Sequence, residues 1–256
     1  MTVLPPGTLL QLMYLKERIK TMRPGRFVEI GPGAGHVTAL LLDCGWTGIA
    51  YDFEPSTVAA ISARFHKEIE SGRLRVETKD WLAIRLAEPV ELVISCMVLE
   101  HFDDAGERSF IEVAKRNLVP DGVMITIVPG SSRHWGIEDE IAGHFRRYSD
   151  VSARALFESA GWVIRHTAGL TFPVSNLLFP LSNFLVKRAE ARKLSLSMVE
   201  RTKQSGIRTV SMKTTFPSIF GLLLNEITMY PFHLVQKACR RSVRAMVLYV
   251  EATPNR

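Results

Sequence analysis

The chain is short of what small secreted folds depend on. Cysteine is nearly absent: Cys44, Cys96 and Cys239 stand far apart in 256 residues. That spacing offers no disulfide framework and no paired-cysteine metal site, and it suits a reducing compartment. No apolar run is long enough for a clean transmembrane helix. The first residues, MTVLPPGTLL, lack a basic region ahead of an apolar one, so no signal peptide is expected and a cytoplasmic location is. No Lys-Ser/Thr pair follows the glycine-rich turn described below, which excludes a phosphate-binding P-loop. What is present is a 46% hydrophobic composition, enough to fill a core. The length suits one α/β domain with an elaboration, or two small domains.

Charge is unevenly placed. The net charge is +6, yet Leu170–Arg244 carries twelve Lys/Arg against three Glu. That stretch is therefore +9 and the rest of the chain −3, so the basic character belongs to one region.

The run Val28-Glu29-Ile30-Gly31-Pro32-Gly33-Ala34-Gly35-His36 reads as a strand, a glycine-rich turn and a helix over Val37–Leu42. Gly31, Gly33 and Gly35 permit a sharp turn and close backbone approach to a ligand. The pattern E-x-G-x-G-x-G is not the G-x-G-x-x-G of nicotinamide binders. Arg26–Ile30 lacks alternation, as a buried parallel strand does. Glu29 is odd in such a strand. Either it ends at the surface, or its carboxylate meets a ligand beyond the sheet's C-terminal edge; the adjacent glycines favour the second. Thr47–Tyr51 predicts strand two, ending in Asp52-Phe53-Glu54. An acid about twenty residues after the turn is placed to accept ribose hydroxyls, with Glu54 the competitor to Asp52. Phe53 is placed to lie on an adenine face.

Further strands are expected at Leu74–Glu77, Val90–Cys96, Val123–Val128, Trp162–Thr167 and Ala245–Ala252. Helices are expected at Thr8–Met22, Pro55–Gly72 with Ser56 as cap, Asp103–Leu118 and Asp150–Ala160 with Ser149 or Asp150 as cap. Val119–Gly122 reads as a turn into strand five. Strands alternating with helices imply a doubly wound α/β fold.

Together, Glu29–Gly35, Asp52, Lys79-Asp80-Trp81, the SCMVLEHFDD run of Ser95–Asp104 and the turn at Pro120–Gly122 resemble class I S-adenosylmethionine-dependent methyltransferases. The resemblance covers Arg26 to about His166 plus the last strand. It implies a doubly wound, mostly parallel seven-stranded sheet and S-adenosyl-L-methionine as cofactor. By this resemblance Glu29, Gly31, Gly33 and Gly35 hold the methionine end of the cofactor, with Ser95 and Met97 beside them. Asp52 then holds the ribose, and Phe53, Asp80 and Trp81 the adenine. For Asp80 a helix cap is the competing role. Residues 1–25 form a helix that closes over the cofactor, Tyr14 being placed to do so or simply to pack. The methyltransferase domain spans 26–169 and 245–256.

The loop Pro129–Ser149 carries Trp135, His144, Arg146, Arg147 and Tyr148, a density of functional side chains unusual for a plain connector. Its GHFRRYS run resembles small-molecule methyltransferases, including the ubiquinone O-methyltransferase group. His144 is the first candidate base and His101 the second, unless His101 is a satisfied histidine at a helix start. Trp135, Arg147 and Tyr148 are candidate acceptor contacts. Arg146 and Arg147 have a competing role, bracing the loop against Glu138–Glu140. In the ubiquinone group a Glu three residues before the Glu-His pair completes a metal site. Here that position is Met97, and one carboxylate with one imidazole suits magnesium poorly, so no metal is expected.

Residues 170–244 are inserted before the last strand. The patches Phe172–Val186 and Phe216–Val235, broken by Pro173, Pro180, Pro217 and Pro231, read as interrupted amphipathic helices. Four roles compete for them: a cap shaping an apolar substrate pocket, a peripheral contact with an anionic membrane, a homodimer interface, and a purely structural cap. The expected activity is O-methylation of a hydrophobic or lipid-linked small molecule. The alternatives are a silent docking module of the same fold and a nucleic-acid methyltransferase. The last is disfavoured because the (Asn/Asp/Ser)-Pro-Pro-(Tyr/Phe) signature of amine-methylating DNA enzymes is absent.

Overall fold

The computed structural model describes residues 3–190 and 216–255. Seven strands form one sheet: β1 (Arg26–Ile30), β2 (Thr47–Asp52), β3 (Leu74–Thr78), β4 (Val90–Cys96), β5 (Leu118–Pro129), β6 (Trp162–Leu170) and β7 (Val247–Pro254). Their order is β3-β2-β1-β4-β5-β7-β6. β1 to β5 pair in parallel, and β7 runs antiparallel to both β5 and β6.

Both faces of the sheet are covered, which explains the unbroken apolar runs. Side chains alternate along each strand. Val28, Val93, Met124 and Val250 join one core with Trp81, Phe110, Ile111 and Phe157. Phe27, Leu92, Ile125 and Tyr249 face the other, with Leu15, Leu41 and Trp46. The first layer holds α5 (Asp104–Asn117) and α7 (Asp150–Ser159). The second holds α1 (Pro6–Ile19), α2 (His36–Asp43) and α3 (Pro55–Arg64). Strand order reverses between β1 and β4, so a crevice opens at their C-terminal ends.

Some expected boundaries shift. The helix expected over Pro55–Gly72 breaks at Phe65 into α3 and a short α4 (His66–Glu70). Ser56 does not cap it: Glu54 is the N-cap, Pro55 the first helical residue, and Ser56 Oγ donates to Glu54 Oε1. Pro suits that position because its missing N–H would have no partner there. Val119–Gly122 is a bulge within a long β5, since Val90 pairs with Leu118 while Leu92 pairs with Val123. Ser149 caps α7, its Oγ accepting from the Ser152 N–H.

The insertion contributes α8 (Val174–Glu190), a 3₁₀ turn at Ser218–Leu222 and α9 (Glu226–Ala238). Asn225 caps α9, its Oδ1 accepting from the N–H groups of Ile227 and Thr228. Helix α9 lies on α1, where Met229 packs with Leu9, Leu10 and Met13. Gln236 ties it down: its amide donates to the Leu10 carbonyl and its oxygen accepts from the Thr171 N–H. The insertion's basic residues from Arg192 to Lys213 lie outside the described residues.

Candidate functional site

A cavity of about 1120 Å³ lies over the C-terminal edge of the sheet. Pockets for one small molecule run from about 300 to about 1,000 Å³, so this one is larger than most. One half follows the strand ends. Gly31, Gly33, Asp52, Phe53, Asp80 and Trp81 all line it. Gly31 has φ +68, and a Cβ there would meet Val98 Cγ2 at 2.6 Å, so the turn tolerates only glycine. Asp52 Oδ1 accepts from the Glu54 N–H, and burial pushes its carboxyl above the usual range. Phe53 is half exposed. Trp81 is buried, its indole N–H donating to the Phe110 carbonyl. Asp80 fills its competing role as well, since Oδ1 caps the following turn by accepting from the Leu82 N–H. Met97 lines the cavity with φ +56. A non-glycine residue in that region stores strain of the kind concentrated at functional sites.

The other half is apolar. Leu178, Phe179 and Leu185 of α8 line it, with Phe220, Leu223 and Leu224 from the second part of the insertion. Polar groups converge on one side. His144 and His101, both cavity residues, sit ring to ring at 4.8 Å. Asp139, fully buried in the short helix α6 (Ile137–Ala142), holds His144 Nδ1 at 2.8 Å, Arg147 Nε at 2.8 Å and the Gly136 N–H at 2.9 Å. A carboxylate on Nδ1 fixes the tautomer and leaves Nε2 as the acceptor. That Nε2 lies 3.8 Å from Glu100 Oε1. Glu100 is wholly buried, and among the described residues neither of its carboxylate oxygens has a hydrogen-bond partner. Burial pushes its carboxyl up to about 7. The same burial, with His144 beside it, pushes His101 down to about 3. Glu100, His101 and His144 bring their ligand atoms within 4.8 Å of one another.

Residues 10–167 match the family model described as a methyltransferase domain. The chain belongs to this methyltransferase family. It is 27% identical over 160 residues to a probable S-adenosylmethionine-dependent methyltransferase of Mycolicibacterium smegmatis (strain ATCC 700084 / mc(2)155), over 60% of this chain and 58% of that one. The chain thus spans somewhat over half the length of that curated relative. Among solved structures it is similar to the glycopeptide N-methyltransferase MtfA complexed with S-adenosyl-L-methionine. The TM-score is 0.56 at 12% identity, covering 97% of this chain and 94% of that one. It is also similar to NcsB1, an O-methyltransferase from neocarzinostatin biosynthesis in complex with S-adenosylmethionine and 2-hydroxy-5-methyl naphthoic acid (TM-score 0.51, 18% identity, covering 63% and 54%). At these identities the likeness is one of fold. Both of those structures are named as complexes with S-adenosylmethionine.

Several residues singled out from the sequence lie elsewhere in the methyltransferase. Glu29 does not line the cavity. Sharing a face of β1 with Phe27, it points under α2, where it accepts from Thr38 Oγ1 at 2.5 Å, and burial pushes it up to about 7. Gly35 is the left-handed N-cap of α2, against Ile61 and Phe65. Ser95 is buried in the sheet against Thr126. Tyr148 is buried, its hydroxyl donating to Glu107, and Trp135 is partly exposed outside the cavity. Arg147 does line the cavity, but its guanidinium is engaged by Asp139 and the Gly130 carbonyl. Arg146 braces a helix, pairing with Asp104 and Glu107 and not with Glu138–Glu140. Sequence reasoning missed Asp139 and Glu100. Both were visible as acids beside candidate histidines, but nothing local showed that they face them.

Proposed function

We propose that this methyltransferase O-methylates a hydrophobic or lipid-linked small molecule. One observation carries the reading: a strand-end half fit for the cofactor and an apolar half belong to a single cavity, and His144 with Asp139 behind it stands on its wall. S-adenosylmethionine, when bound, supplies an activated methyl group. Asp52 would hold its ribose, Phe53, Asp80 and Trp81 its adenine, and the backbone of Gly31, Gly33 and Met97 its methionine end. The apolar wall would position the acceptor, so that its hydroxyl is held and oriented at no further entropic cost. His144 Nε2 would take the hydroxyl proton, and Asp139 would stabilise the resulting imidazolium. His101 is the poorer base, because a group held near 3 has little affinity for the proton it would have to accept. MtfA and NcsB1 are named for N- and O-transfer respectively, so fold alone favours neither; the carboxylate-oriented imidazole favours an acceptor that must lose a proton. A silent docking module has no use for an Asp52 and a glycine turn that face an open cavity. A nucleic acid fits the apolar wall poorly, since phosphate contacts need cations and the described residues of the insertion present no Lys or Arg to it.

The test has two parts. Asp52→Ala should weaken S-adenosylmethionine binding, read by calorimetry, by at least about 30-fold, the equivalent of about 2 kcal/mol for charge-assisted hydrogen bonds. Unchanged affinity would remove Asp52 from the cofactor site. Labelled methyl from the cofactor should pass to the organic phase when lipophilic phenols and alcohols are offered. Transfer only to polar amines would overturn the acceptor class.

A further inference from the structure

The insertion turns apolar side chains outward as well as into the cavity. On α8, Leu177, Leu181 and Phe184 recur at i, i+4 and i+7, so they form one stripe, and they are 79%, 55% and 60% exposed. Arg188, four residues beyond Phe184, continues the same stripe. Ile219 and Leu222 of the 3₁₀ turn, with Leu223 just after it, are 72%, 78% and 65% exposed. Leu178, Leu181 and Leu223 are exposed and also line the acceptor half of the cavity. The outer apolar face and the inner apolar wall are therefore one continuous surface.

A face of this kind marks a contact with something apolar. Charge decides with what. The segment that bears it is +9 in a chain otherwise −3. Two copies meeting face to face would bring like charges together, whereas a surface of lipid phosphates is attracted. Among the described residues no helix is long and apolar enough to cross a membrane; α8, which runs on through Pro180, has 17 residues. Apolar stripe, basic flank and insufficient length together describe a segment that lies in the interface plane.

We propose that this face docks on an anionic lipid bilayer. Leu177, Phe184, Ile219 and Leu222 enter the headgroup region, and Lys187 and Arg188 meet lipid phosphates. The cavity mouth then opens against the bilayer, and an apolar acceptor reaches it without crossing water; this last consequence rests on the function proposed above, while the docking does not.

Co-sedimentation of the full chain with vesicles tests it. Phosphatidylcholine vesicles are compared with vesicles containing phosphatidylglycerol, at low and high salt. Binding should be at least ~10-fold stronger on the anionic vesicles and fall with salt, because about 1 kcal/mol per basic residue is screened within a Debye length. The double variant L177D/F184D should lose at least ~10-fold of that binding, since each side chain buries an apolar surface worth more than 1 kcal/mol. Neither residue lines the cavity, so S-adenosylmethionine affinity should stay unchanged. That separates loss of docking from loss of fold or of cofactor binding. Arg188→Glu is the second variant and should also weaken anionic binding. Three outcomes overturn the proposal: no sedimentation with anionic vesicles, equal sedimentation of parent and both variants, or a dimer by light scattering that L177D/F184D splits.

Discussion

At the scale of single residues, the arrangement around His144 separates two histidines that look alike in sequence. Both line the cavity. Only His144 has a buried carboxylate on Nδ1, so only its Nε2 is a poised acceptor. His144→Ala should lower turnover about 10² to 10⁴-fold, the usual worth of a general base, while S-adenosylmethionine affinity stays within twofold. Equal losses in both would make the residue structural. Asp139→Asn should leave the imidazole in place but let it adopt the other tautomer, and should therefore shift the pH–rate profile as well as its height. Glu100 yields a stability prediction. Its folded value of about 7 lies above the ordinary 4.5, so the folded state holds the proton more tightly than the unfolded one. Stability is then present below 4.5 and is lost as pH rises through 7. Glu100→Gln cannot ionise, so its unfolding free energy should gain on the parent by up to about 3 kcal/mol between pH 5 and pH 8. Parallel pH profiles in denaturant melts would show that Glu100 is not desolvated as described.

At the scale of elements, the turn after β1 is the piece least able to vary. Gly31 needs the left-handed region, its N–H donates to the Tyr51 carbonyl, and Val98 closes over it. Gly31→Ala adds a left-handed cost of about 1–2 kcal/mol and a clash with Val98. It should lower the melting midpoint by several degrees and weaken cofactor binding together, because the same backbone serves both. A melting midpoint equal to the parent's would show that the turn relaxes freely. Helix α1 differs from the closing helix expected of residues 1–25. Leu9, Leu10, Met13, Tyr14, Leu15 and Ile19 are buried, and Tyr14 donates to or accepts from His166 at 2.6 Å. Its first turn supplies cavity residues Gly7, Thr8 and Gln11, while the rest of the helix is core. The amphipathic spacing that announced the helix could not distinguish a cover from a packed layer, since both bury one stripe.

At the scale of the whole molecule, the insertion closes the fold and forms a wall of its cavity. Strand β7 returns from it to sit between β5 and β6, and α9 is held to α1 through Gln236. How much of this was legible depended on range. Each strand was recognisable from a few consecutive residues, because burial on both faces demands an apolar run and the flanking turns demand glycine, proline or aspartate. That Asp52, Phe53, Asp80 and Trp81 line the cavity was legible for the same reason: they sit at or just beyond strand ends. Glu29 stays out of the cavity because the alternation of β1 turns its side chain sideways to the face under α2, where it meets Thr38, and not onward past the strand end.

The sequence by itself determined the doubly wound sheet, the glycine turn and the basic, apolar character of residues 170–244, all of which rest on local pattern. Only the tertiary structure decided that Asp139 orients His144, that Glu100 and His101 converge on it from a turn some forty residues away, and that the insertion lines the apolar half of the cavity. Those are meetings between distant segments, set by how layers pack and not by any preference of the residues that meet.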